Sequence, residues 1–152
     1  MKQSLFTSVL LSLVFAFSVN AADKSTLQVS NAWIRATPPN ATVAGGFLTI
    51  ENTGKEDRLL SVTSTAAKSV EIHEMSMQGD VMQMRQLTDG LLIPANKNIT
   101  LKPGGLHLMF IAPKQVFSEG QKITATLVFA KAGKQKVEFS VHKSAPAISA
   151  QK

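Results

Sequence analysis

From Leu27 to Val141 the chain is a succession of short β-prone runs cut by turn residues, and this punctuation constrains its fold more than any other feature. The separators are Pro38-Pro39-Asn40, Asn52-Thr53-Gly54, Gly79-Asp80, Asp89-Gly90, Pro94-Ala95-Asn96, Pro103-Gly104-Gly105 and Ala132-Gly133, residues that turns favour for their backbone freedom or fixed φ. Helical periodicity is hard to find between them. The pattern predicts strands over 27–36, 46–51, 59–65, 70–77, 81–87, 99–101, 106–111, 122–130 and 134–141. Gln78-Gly79-Asp80 and Ala132-Gly133 read as hairpin loops. So many strands in about 120 residues imply an all-β domain, a β-sandwich or Greek-key barrel.

Alternation locates the core. Ile123, Ala125, Leu127 and Phe129 alternate with Thr124, Thr126 and Val128, which marks one buried face. Trp33, Phe47, Phe110 and Phe139 join the core by the same test.

The N-terminus reads as a secretory signal: Lys2, an apolar stretch from Leu5 to Val19, then Asn20-Ala21-Ala22 before Asp23. Cleavage after Ala21 puts Val19 and Ala21 at the small-residue positions. The expected organisation is therefore a signal peptide over 1–21, one domain over 22–143 and a flexible tail over 144–152. A mature chain of about 131 residues buries one core without staples, with no transmembrane segment, and is expected to act as a monomer in the periplasm. The formal charge of +6 is spread over many lysines and describes a solvated basic face, or a surface for an acidic partner or anionic membrane. Nucleic acid is not an expected partner after export.

The sequence contains no cysteine, which removes disulfides, thiolate zinc sites, iron–sulfur clusters and blue-copper centres. A soft-metal site must use Met and His. Apart from Met1, every methionine (Met75, Met77, Met82, Met84, Met109) lies between His73 and Met109, together with His107. His73, Met75 and Met77 share parity, as do Met82 and Met84, and His107 and Met109; on a strand, each set shares one face. Leu106, Leu108 and Phe110 are then the core side of their strand. Thioether sulfur is soft and uncharged, a poor ligand for zinc, magnesium or calcium and a good one for Cu(I). Two imidazoles with one or two thioethers describe a Cu(I) site.

Other readings compete. Methionine is a common core filler, and His142, with no methionine beside it, reads as structural. A His and Met pair could also hold b-type haem in a redox or electron-transfer protein, although no C-x-x-C-H motif attaches haem covalently. A third reading is a β-sandwich interaction module whose Met and His only pack. No Ser-His-Asp arrangement, paired-carboxylate motif or phosphate loop stands out, so an enzyme is not expected. Glu74 and Asp80 are read as tuning charge near the site.

Several blocks taken in order, "AWIRATPP" (32–39), "ENTGKEDRLL" (51–60), "VEIHEM" (70–75), "GDVMQMR" (79–85), "GLLIPA" (90–95), "LKPGGLHLMF" (101–110) and "ATLVFAKAGK" (125–134), resemble the periplasmic copper(I) chaperones of the PCuAC type. These are small exported domains, so the resemblance implies a cupredoxin-like fold. The family's motif, a His, a Met eleven positions later and a distant His-x-Met, falls on His73, Met84, His107 and Met109. Glu74 follows His73 where some members have Met, and Met82 stands close enough to compete with Met84. Met75, Met77 and Met82 are auxiliary donor candidates. The resemblance further implies a carrier that hands Cu(I) to a copper-accepting protein, typically a membrane-bound respiratory oxidase subunit during assembly of its copper centre, or another copper chaperone.

Overall fold

The computed structural model describes residues 26–147; the expected signal segment and the end of the expected tail lie outside the described residues. The strands are β1 (Leu27–Arg35), β2 (Val43–Asn52), β3 (Asp57–Thr63), β4 (Ala67–Gln78), β5 (Val81–Gln86), β6 (Leu91–Ile93), β7 (Asn98–Leu101), β8 (His107–Pro113), β9 (Lys122–Phe129) and β10 (Gly133–His142). The all-β class expected from the punctuation and the cupredoxin-like fold implied by the resemblance are what the chain adopts. No helix of the described residues is long and apolar enough to cross a membrane.

Seven strands close a barrel in the order β4-β8-β2-β1-β10-β9-β3, and β3 returns to β4 where Val62 pairs with Val70. The β1–β10 pairing is parallel and the others are antiparallel. β5, β6 and β7 are added at the margins, on β4, β3 and β2.

Burial follows the period-two pattern. Ile123, Ala125, Leu127 and Phe129 point into the barrel, as do Leu108, Phe110 and Phe139. Phe110 meets Phe139 and Phe117 edge-on, at centroid distances of 5.9 and 6.0 Å, an arrangement the ring quadrupoles favour. Phe117 comes from a loop and is fully buried. Its backbone N–H donates to Thr37 Oγ1, and its carbonyl accepts from Thr37 N–H, so the loop is pinned while its ring plugs the core. Trp33 and Phe47 are buried as expected, but against each other at 4.5 Å and apart from the main core cluster.

One strand is not expected from the sequence, and several, β4 and β2 among them, run longer than expected. β6 was hidden because a three-residue run carries no measurable alternation; pairing of Asp57, Arg58 and Leu59 with Ile93, Leu92 and Leu91 creates it. β4 is longer than 70–77 because Ala67 and Ser69 pair with Pro113 and Ile111. The turn between β4 and β5 is the expected one: Gly79 takes φ 61°, a value that costs glycine little.

The β3 entrance is held by a buried carboxylate. Asp57 accepts hydrogen bonds from the backbone N–H groups of Arg58, Lys131 and Ala132 at 2.7, 2.9 and 2.8 Å, tying β3 to the β9–β10 turn. Burial pushes this carboxyl up, but the three N–H donors and the Lys131 charge more than offset it and hold it below the ordinary aspartate range. A depressed folded value stabilises the protein above the unfolded value, about 3.9, and the contribution is lost as pH falls through the folded value. Asp57→Asn is expected to cost about 1–3 kcal/mol at neutral pH. In urea melts the gap between wild type and variant should stay constant above about pH 5 and narrow only below about pH 3.9.

Candidate metal centre

β4 and β8 share a register that sorts chemistry by face. Val70 opposes Phe110 and Ile72 opposes Leu108 on the inner side, while Glu71 opposes Met109 and His73 opposes His107 on the outer side. The two faces expected for "LHLMF" are therefore present: Leu108 and Phe110 fill the barrel, and His107 and Met109 stand outside it.

The histidines are neighbours, with ring centroids 5.7 Å apart and planes tilted by 40°. Both are about nine-tenths buried although they lie on the outer wall. Their hydrogen bonds assign their protons. His107 Nδ1–H donates to the carbonyl of Gly105 at 2.9 Å, which leaves the Nε2 lone pair free in the neutral ring. His73 Nε2–H donates to Glu71 Oε2 at 2.8 Å, which leaves the lone pair on Nδ1. That Nδ1 is buried and has no hydrogen-bond partner. An orphaned buried acceptor is costly unless something else satisfies it, and a metal ion would. With metal–nitrogen bonds of about 2 Å, two imidazoles on one ion have centroids roughly 6 Å apart, and the observed centroid spacing is of that size.

The carboxylate beside the site is Glu71, not the Glu74 or Asp80 expected from the sequence. Parity was the available signal: Glu71 shares the face of His73, whereas Glu74 points to the other face and pairs with Arg85 at 2.9 Å. Asp80 lies in the β4–β5 turn.

The methionines divide by position. Met109 is half-buried, two residues along β8 from His107, opposite Glu71 and next to the bare backbone of Gly45 on β2. Met84 opposes Met75 on the β4–β5 ladder, one diagonal step from His73, while Met82 opposes Met77, a further two residues or about 7 Å along the strands. Register thus brings Met84 closer to the histidines than Met82. His142 ends β10, far along the sheet order from this pair. Among the described residues no group of three or more His, Cys, Asp or Glu is placed to hold a metal ion, and the thioethers of Met84 and Met109 are the soft donors that register places nearest the two imidazoles.

A cavity of about 270 Å³ opens beside Trp33, Thr100, Lys102 and His142, with Ala145–Ala147 of the expected tail along its mouth. The histidine pair instead lies on the barrel's outer wall.

A family model described as "Putative lipoprotein LpqE-like" matches residues 27–141. The chain belongs to the LpqE-like family. A "Putative lipoprotein Lxx21020" of Leifsonia xyli subsp. xyli is 36% identical over 104 residues, which are 68% of this chain and 61% of that protein; the chain thus spans less than two thirds of that relative. Among solved structures, the copper-bound PCuAC domain from PmoF2 is 25% identical with a TM-score of 0.66, covering 78% of this chain and 94% of that domain. The apo PCuAC domain from PmoF1 is 28% identical with a TM-score of 0.65, covering 80% and 95%. The resemblance to PCuAC-type domains read from the ordered sequence blocks is thereby shown.

The proton assignment is open to direct measurement. Nitrogen-15 spectra of the metal-free protein near neutral pH should show His73 as the Nε2–H tautomer and His107 as the Nδ1–H tautomer. Glu71→Ala should release the first preference and leave the second unchanged.

Proposed function

We propose that this domain is an exported Cu(I) carrier that holds the ion on His73, His107, Met109 and Met84 and passes it to a copper-accepting protein. The observation that carries the reading is the imidazole pair, with one nitrogen of each ring committed to an oxygen acceptor and the other left free, flanked by thioethers on the same face. Nitrogen and thioether donors together select Cu(I) over harder ions. All four are neutral, and the Glu71 carboxylate, hydrogen-bonded to His73, orients that ring and offsets the charge of the ion. Copper here is cargo, so the site acts by binding and release, without an acid–base or nucleophilic residue.

Placement suits transfer. Met84 is 51% exposed, so an acceptor's ligands can displace it first, while the buried imidazoles hold the ion until further donors arrive. The copper-bound PmoF2 domain shares this fold, which supports copper as the ligand. Assembly of a respiratory oxidase copper centre is the delivery role we assign, with a membrane-bound subunit or a second copper chaperone as acceptor, and the periplasm as the place of work.

An anaerobic Cu(I) titration against a chelator tests the reading. Wild type should retain a bound ion, with nitrogen and sulfur neighbours in X-ray absorption. His107→Ala and Met109→Ala should each weaken it by about 10-fold or more. A protein left empty by the chelator would overturn the reading. Because imidazole binds only when neutral, affinity should also fall between about pH 7.5 and about pH 5; a flat profile would exclude histidine ligation.

A further inference from the structure

The hairpin of β4 and β5 outruns the barrel. β8 pairs with β4 only as far as His73, with one further bond from Met75 N–H to the Gly105 carbonyl. Beyond that, 76–83 form a two-stranded ribbon, and every residue of β5 is exposed. Its two faces are chemically opposite. One carries the Glu74–Arg85 ion pair and the Ser76–Gln83 pair; the other carries Met75 opposite Met84 and Met77 opposite Met82.

These methionines do not fill a core. Met77 is 60% and Met82 55% exposed. Strand propensity does not explain them either, since β-branched residues suit an exposed ribbon better. Single exposed hydrophobes are common and mean little, but thioethers on two consecutive rungs of one face form a block of a single chemistry.

Ladder phase strengthens the point. Leu87 N–H donates to the Ile72 carbonyl at 2.8 Å, so 72 and 87 form a hydrogen-bonded pair and, by alternation, 75 with 84 and 77 with 82 do not. Non-hydrogen-bonded pairs bring their side chains closest, with Cα atoms about 4.5 Å apart. Each methionine has three rotatable side-chain bonds, enough to turn two sulfurs from facing strands toward one ion.

We propose that Met77 and Met82, with Met75 as a third donor, form a second site, specific for a soft monovalent cation, Cu(I), and built from thioethers alone. Its ligands are neutral and its surroundings open, so it binds more weakly than the histidine site and exchanges faster. Its place on the same face as Met84 makes it the outer station from which the ion moves, by ligand exchange without change of oxidation state, toward His73 and His107. That direction of movement rests on the histidine-site reading; the existence of the second site does not.

The test is an anaerobic titration of the full chain with Cu(I), read through methionine ε-methyl carbon-13 shifts. Wild type should take up two equivalents, one moving Met84 and Met109 and the other moving Met77 and Met82. In Met77→Leu/Met82→Leu, uptake should drop to one equivalent with the Met84 and Met109 shifts kept, which also shows that the variant is folded. In His73→Ala/His107→Ala, the Met77 and Met82 shifts should persist. Met77 and Met82 signals unmoved at two equivalents, or two equivalents surviving in the leucine variant, would overturn the proposal. Loss of the Met84 and Met109 response alone would instead strike the histidine-site reading and leave the hairpin site standing.

Discussion

The register between β4 and β8 is the constraint on which the rest depends. Ile72 and Leu108 oppose each other inside the barrel, and Val70 and Phe110 do the same beside them. Because side chains alternate with a period of two, a slip of one residue in either strand would expel that apolar set and drive a histidine into the core. The hydrophobic effect, acting on the inner face, thereby holds His73 and His107 opposite each other on the outer face. The site's geometry is a consequence of packing that takes place on the other side of the sheet.

On that outer face, local hydrogen bonds finish what the register begins. Gly105 and Glu71 each accept a hydrogen bond from one ring N–H, so the remaining lone pairs are assigned before any ligand arrives. The buried, unpartnered Nδ1 of His73 has a cost that the fold tolerates, and buried acceptors left in this state are uncommon away from sites that bind something. β4 serves both purposes because it is long: its first half is a barrel stave and its second half, with β5, is an arm in solvent. Methionines occupy one face of that arm, and Met77, Met82 and Met84 are more than half exposed there.

Much of this was legible from local pattern. Turn residues and alternation announced the strands, and even spacing placed His107 with Met109 and His73 with Met75 on common faces. What escaped was whatever a neighbour had to create. Leu91–Ile93 is a strand only because β3 lies alongside it. Phe117 is core only because its loop folds over the barrel's end, with no periodicity to announce it. Glu71 stood two residues from His73 in plain view, yet its role needs the carboxylate's reach to Nε2, which spacing alone does not specify. Trp33 and Phe47 were rightly read as buried, but their separation from the main core depends on the sheet's other side.

The sequence by itself determined the all-β class, the absence of thiolate chemistry and the set of soft donors, because composition and period-two alternation are properties of the chain alone. Only the tertiary structure decided which donors meet. Pairing across strands is long-range: it set His73 against His107, placed Met84 a step nearer to them than Met82, and left Met77 and Met82 facing each other on the free arm. That pairing depends on which faces the barrel must bury, a condition that no stretch of the chain satisfies alone.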